Sequence, residues 1–342
     1  MIKHATRIDE IKAHRALLGP RGRIGEAEFG CNSRPIVLVC DEDYAMPLAT
    51  TLRSLVEANR SGQSLETFVL CSKFGLRMKE KVVNSLPPGS AQVQWLNVEL
   101  DWFGDFSTLP HISKITFARL LLPYCFPKSV SRLLYLDADI LVLGDLSALW
   151  ETDLEGNAFG AVVDSHSCIN AKRLGLTTDI KESARVTAEY FNAGVLLVDL
   201  QKWQQEQVSE RAMNYLIANP RSLLADQDAL NIGCEGRWKR LDSRWNCLHH
   251  PADGFYKMRS EQRPSIIHYA GRGKPWLAAS LSVDEVFYDS FRNRTQFART
   301  AEERSRDLAE HWWGCVKAFA RRHGITALVR GCLAGRRAAD CS

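Results

Sequence analysis

Two carboxylates separated by one residue, Asp137-Ala138-Asp139, stand between the apolar runs Leu133-Leu134-Tyr135-Leu136 and Ile140-Leu141-Val142-Leu143. Unpaired carboxylates in apolar surroundings cost roughly several kcal/mol unless a cation or hydrogen-bond donors satisfy them. A divalent cation answers both at once. Side chains at i and i+2 of a strand face the same way, and a bend after the first lets both wrap one ion. Hard oxygen ligands select Mg²⁺ or Mn²⁺, which keep positions open for substrate phosphates. The same three residues would also suit a solvated loop, so the reading depends on what surrounds them.

Arg132–Leu136 reads as a strand with the acids at its carboxyl end, where open α/β sheets bind ligands. Ahead of it, Ile36-Val37-Leu38-Val39-Cys40 predicts a strand buried on both faces. The acidic turn Asp41-Glu42-Asp43-Tyr44 follows, then a helix carrying Leu48, Leu52, Leu55 and Val56. Strands are expected at Thr67–Cys71, Val93–Val98, Phe191–Leu200 and Ser265–Tyr269, and helices at Leu76–Ser85 and Ile112–Leu122. This alternation predicts an α/β fold, a Rossmann-like three-layer domain with a mainly parallel sheet. Three regions are expected: an N-terminal extension (1–34), the catalytic body (35–282) and a helical, basic and aromatic C-terminal region (283–342).

The composition, 45% hydrophobic and 25% charged over 342 residues, suffices for a sizeable core. No apolar run reaches the roughly 18 residues of a membrane span, and Met1–Gly30 lacks the apolar centre of a secretory signal. A cytoplasmic protein is the expectation. Ten cysteines without a CxxC pair read as reduced thiols, several of them in apolar runs. The net charge of +4 is mild, and no basic face is apparent on the body, which argues against a nucleic-acid partner. The tail differs: from His311 to Ala339 it carries Lys317, Arg321, Arg322, Arg330, Arg336 and Arg337 and no acid. Trp312, Val316 and Phe319 recur there at helical spacing. The segment suits either an anionic membrane surface or packing on the body.

Six segments in order resemble glycosyltransferase family 8, the retaining enzymes that include bacterial lipopolysaccharide galactosyl- and glucosyltransferases and glycogenin. They are Ile36–Tyr44, Ile115-Thr116-Phe117-Ala118-Arg119-Leu120, Leu134–Asp139, Phe191-Asn192-Ala193-Gly194-Val195, Asp226-Gln227-Asp228-Ala229-Leu230-Asn231 and His268–Trp276. The resemblance implies a GT-A type nucleotide-sugar-binding fold and a UDP-hexose donor. It implies Mn²⁺, with Mg²⁺ as the other choice, held by Asp137, Asp139 and His268. Lys274 would face the leaving diphosphate, with Gly271 and Ala138 close to it; a solvated Lys274 and a core His268 are the alternatives. Val39, Asp41, Asp43 and Tyr44 match the nucleoside site, although relatives often carry Asn where Asp43 stands. Arg119 matches an arginine near the donor and could equally be a structural ion pair.

Asp164, Asn192, Asp226 and Gln227 match residues around the donor sugar, with Gln227 and Asp226 as the catalytic candidates. An amide is a poor nucleophile, which favours front-face substitution with retention over a double displacement through Gln227. The expected function is transfer of galactose or glucose to a lipid-linked or oligosaccharide acceptor in lipopolysaccharide or other surface-glycan synthesis. The acceptor would meet the loops at Ser165–Glu189 and His249–Arg263, and the tail would give peripheral membrane contact. The alternatives are a glycogenin-like self-glucosylating enzyme and a non-catalytic nucleotide-sugar-binding protein.

Overall fold

The structure, a computed structural model, describes residues 33–100, 113–174, 189–234, 236–248, 263–271, 273–276 and 283–322, together with Phe29, Phe103, Phe106, Thr108 and Leu109. Most of the expected N-terminal extension, most of the two expected acceptor loops and the last 20 residues of the tail lie outside that set.

The strands are β1 (Ile36–Asp41), β2 (Leu65–Ser72), β3 (Ala91–Asn97), β4 (Arg132–Asp137), β5 (Ile140–Val142), β6 (Phe159–Val163), β7 (Phe191–Asp199), β8 (Lys239–Arg240), β9 (Cys247–Leu248) and β10 (Ile266–His268). Seven form one sheet in the order β3-β2-β1-β4-β7-β6-β8, and β5-β10-β9 form a second. In the large sheet the pairs from β3 to β4 and the β6–β8 pair are parallel, whereas β7 runs antiparallel to both β4 and β6. The sheet is thus mixed and mainly parallel.

β1 is buried on both faces, as its β-branched run requires. Val37 and Val39 enter one apolar layer with Phe117 and Tyr135, while Ile36, Leu38 and Cys40 enter the other with Leu48 and Leu52. This alternation produces the three layers. The helix Ala45–Ala58 turns Leu48, Ala49, Leu52 and Leu55 onto the second layer. Cys40, Cys71, Cys125 and Cys234 are buried free thiols.

The predicted helix Ile112–Leu122 is instead a 3-10 helix, Lys114–Leu121, followed by a four-residue α-helix, Leu122–Cys125. Pro123 has no N–H to give to Arg119, although Leu122 just before it is already in α geometry. Leu122 N–H closes on Arg119 O in the tighter pattern. The tighter winding keeps Phe117, Leu120 and Leu121 in the core and buries Arg119 beside them.

Candidate active site

β4 ends at Asp137, Ala138 and Asp139 make a turn, and β5 leaves in a new direction. The two acids therefore stand at the corner between the sheets. β5 pairs antiparallel with β10 so that Ile140 lies opposite His268, and Tyr269 N–H donates to Asp139 O at 3.0 Å. That pairing brings His268 to the acids from far along the chain. One ligand atom from each of Asp137, Asp139 and His268 falls within 4.8 Å of the others. His268 Nε2 is 3.2 Å from Asp139 Oδ1 and 3.6 Å from Asp137 Oδ2.

The remaining contacts sort the carboxylate oxygens. Asp137 Oδ1 accepts from Tyr135 OH at 2.6 Å and from Arg119 Nη2 at 2.9 Å. Asp139 Oδ2 takes Lys274, whose ammonium also donates to Tyr269 O at 2.6 Å. Among the described residues no donor reaches buried Asp139 Oδ1 in hydrogen-bond geometry. An orphaned carboxylate oxygen facing a ring nitrogen is costly without a cation. Two carboxylates and an imidazole suit Mn²⁺ or Mg²⁺, so the residues fit a divalent ion. Burial pushes the Asp139 carboxyl up, but Lys274 and His268 outweigh it and hold the group well below the usual range. Burial likewise opposes charge on Lys274, and Asp139 more than restores it, so its pKa is raised. The pair is ionic at neutral pH.

These residues line a cleft of about 520 Å³ at the carboxyl ends of β1 and β4. Val39, Asp41 and Tyr44 line it from β1 and the turn after it, Gly271 and Lys274 from the segment after β10, and Asp164, Asn192, Asp226 and Gln227 from later elements. Asp137, Ala138, Asp139, Arg119 and His268 lie between them. Asp43 is the exception: it is exposed on the 3-10 helix Glu42–Tyr44 and does not line the cleft. A one-turn helix cannot direct both Asp41 and Asp43 inward, and Asp41 is the one that Ser113 holds. Gly271 has φ +77°, a left-handed geometry that only glycine adopts freely, and its missing Cβ leaves open space. Trp276 stands edge-on to Tyr44 and tilted against Tyr288, making a wall.

Arg119, 6% exposed, joins the acid pair to Asp226. Nη1 donates to Ala193 O at 2.7 Å, Nη2 reaches Thr116 Oγ1 and Asp137, and Nε lies 2.6 Å from Asp226 Oδ2. Burial works against its charge, but Asp137 and Asp226 raise its pKa further still. Asp226 also accepts from Thr116 at 2.8 Å, yet burial dominates and pushes its carboxyl up to about 6. Asp226 begins the helix Ala225–Gly233 just after Ala225, whose φ of +47° is strained for a residue with a Cβ. That strain costs about 1–2 kcal/mol and turns Asp226 and Gln227 toward the cleft.

Three contributors were not singled out from the sequence, Thr116, Tyr190 and Asn246, whereas His166 and the helix Ser167–Arg173, which send Ile169 and Asn170 to the cleft, fall in the expected acceptor loop Ser165–Glu189. Thr116 lies inside a quoted segment one turn from Arg119, a signal that was available. Asn246 has no local pattern around it.

The profile of glycosyl transferase family 8 matches residues 35–280. The chain belongs to that family. It is 30% identical over 261 residues to "Glycosyltransferase GlyF" of Streptococcus pneumoniae serotype 4, an alignment covering 73% of this chain and 58% of that protein. It is 22% identical over 299 residues to "Lipopolysaccharide 1,2-glucosyltransferase" of Escherichia coli K12, covering 85% and 87% of the two. The crystal structure of galactosyltransferase LgtC in complex with donor and acceptor sugar analogs superposes with a TM-score of 0.65 at 26% identity, covering 79% of this chain and 99% of LgtC. The fold is of the GT-A type, and the protein is a glycosyltransferase.

Proposed function

We propose that this glycosyltransferase moves galactose or glucose from a UDP-sugar, with retention of configuration and with a divalent metal, to a glycan acceptor of lipopolysaccharide or another surface glycan. The observation that carries this reading is the orphaned Asp139 Oδ1 facing His268 Nε2, beside Asp137 Oδ1 and Asp139 Oδ2, whose donors are already in place. Asp137, Asp139 and His268 would hold Mn²⁺ or Mg²⁺, which when bound supplies positive charge opposite the leaving diphosphate. Lys274, protonated where it lines the cleft, would add a second cation there. Val39, Asp41 and Tyr44 would take the nucleoside, and Asp164, Asn192 and Asp226 the sugar hydroxyls.

Gln227 supports front-face substitution over a covalent sugar. Its Oε1 accepts from Ala193 N–H and from Asn192 Nδ2, both at 3.0 Å, so its lone pairs are already engaged. Gln227 would then stabilise positive charge at the sugar, and the leaving phosphate would take the acceptor proton. Turnover of a panel of UDP-, GDP- and CDP-hexoses, with Mn²⁺ and with chelator, tests the reading. UDP-hexose turnover that survives chelation, or survives Asp137→Ala with Asp139→Ala, would sink it. A trapped sugar on Gln227 would overturn the front-face part.

Self-glucosylation is disfavoured, because none of the seven described tyrosines is exposed. Membrane contact is favoured by the helix Ala301–Arg322, which exposes Leu308, Trp312, Val316 and Phe319 in one stripe. Such a helix would lie on an anionic lipid surface. Among the described residues no helix is long and apolar enough to cross a membrane.

A further inference from the structure

A chain of buried hydrogen bonds runs behind the cleft from Asp228 to His268, and its direction is forced. Asp228 is fully buried and accepts from Arg173 Nη1 and Nη2, Ser222 Oγ, Leu224 N–H and Tyr190 OH. A carboxylate held by an arginine only accepts, so the single hydroxyl proton of Tyr190 points to it, at 2.7 Å. The Tyr190 oxygen is left to accept, and Gln227 Nε2 donates to it at 3.1 Å. Gln227 Oε1 must then face Ala193 N–H, a donor that cannot flip, and Asn192 Nδ2.

With its amide nitrogen so used, Asn192 presents Oδ1 to Gly194 N–H at 2.9 Å and to Asn246 Nδ2 at 2.8 Å. Asn246 has one polar atom left, Oδ1, and it stands 2.9 Å from His268 Nδ1. That oxygen can only accept. Nδ1 therefore carries a proton, which leaves Nε2, the nitrogen that faces Asp137 and Asp139, as the one free to ligate a metal. Two backbone N–H groups and one ion pair fix every amide orientation in the series, and these orientations follow from the network itself.

We infer that Asn246 is a positioning residue for the transfer reaction. It holds His268 in the Nδ1–H tautomer needed for a metal ligand and ties that ring, through Asn192, to the amide of Gln227. The inference rests on the proposed metal-dependent transfer for its purpose but not for its geometry. Partners of this kind orient ligating histidines, and their loss costs roughly 10–100-fold in metal affinity.

The test reads the tautomer first, in metal-free full-length protein labelled with ¹⁵N-histidine at mildly alkaline pH, with His268 assigned by its loss in His268→Gln. Wild type gives protonated Nδ1. Asn246→Leu removes the acceptor, so His268 becomes a mixture of tautomers, and Mn²⁺ affinity measured calorimetrically with UDP falls roughly 10–100-fold. Asn246→Asp keeps the acceptor but cannot donate to Asn192. It retains the tautomer and the Mn²⁺ affinity while kcat falls and donor KM stays. An unchanged tautomer and affinity in Asn246→Leu overturns the inference. So does a tautomer mixture in Asn246→Asp, which suffices if the leucine variant does not fold. Failure of wild type to bind Mn²⁺ at all would count against the proposed function, while the tautomer readout still judges Asn246.

Discussion

Gly194 leaves a space in β7 that the candidate metal centre occupies. An ideal Cβ there would lie 2.2 Å from His268 Cε1, 2.7 Å from its Nδ1 and 2.8 Å from Asp137 Oδ2. Ordinary contact begins near 3.4 Å, so in Gly194→Ala the ring must retreat by the difference between 3.4 and 2.2 Å, or the strand must move. Metal–ligand distances tolerate only about 0.2 Å, so at least one of the two ligands leaves the set. Mn²⁺ affinity in the presence of UDP should then fall at least roughly 10–100-fold, the range that outer-shell losses alone produce. Overpacking adds about 1–3 kcal/mol of destabilisation, at about 2–4 °C in Tm per kcal/mol for a large domain. Gly160→Ala separates the two effects. Its Cβ meets Leu241 Cδ2 at 2.8 Å and Leu154 Cδ2 at 3.0 Å, away from the cleft, so it should lower Tm and leave Mn²⁺ binding alone. Calorimetric titration and thermal unfolding of both variants decide the matter. Wild-type Mn²⁺ affinity in a folded Gly194→Ala protein would refute the assignment of Asp137 and His268 as ligands.

Lys274→Met should cut UDP-hexose turnover by about 10²–10³-fold while Mn²⁺ binding stays as tight or tightens, since the variant frees Asp139; weaker metal binding would contradict the assigned role. The carboxyl of Asp226 is raised from 3.8 to about 6, so the stability tied to its protonated form is intact below about pH 4 and is lost as pH climbs through 6. Asn cannot ionise, so urea midpoints should show Asp226→Asn gaining on wild type across that window, by an amount on the order of 3 kcal/mol; a flat difference rejects it. Trp312→Glu combined with Phe319→Glu should abolish sedimentation with anionic vesicles and leave transfer to a soluble acceptor intact. Retained sedimentation removes the helix Ala301–Arg322 from membrane contact.

The fold was legible wherever a strand is long and buried on both faces. Ile36–Cys40, Thr67–Cys71 and Phe191–Leu200 announce themselves by apolar runs; the first two strands extend the expected range by no more than two residues at either end, and the third stops one residue short of it. β8 and β9 have two residues each, too few for a period. The antiparallel sense of β7 is set by long-range pairing with β4, which no local pattern reports. Ile112–Leu122 has a helical apolar period, which does not by itself separate an α-helix from the 3-10 helix observed over Lys114–Leu121.

The site divides the same way between ligands and ties. Residues that would touch donor or metal sit in short motifs at strand ends, so Asp137, Asp139, His268, Lys274, Asp226 and Gln227 could be found one segment at a time. The ties between segments could not. For Arg119 the sequence left open a donor contact or a structural ion pair, and the geometry answers through its protons. Nε faces Asp226, Nη2 serves Thr116 and Asp137, and Nη1 gives one proton to Ala193 O. Arg119 is therefore first a clasp between the acid pair and Asp226. With the amide series through Asn246, it makes a second link from the acid-pair side to Gln227 and its neighbours. A substitution in either link should disturb both ends of the cleft together, which separate motifs would never suggest.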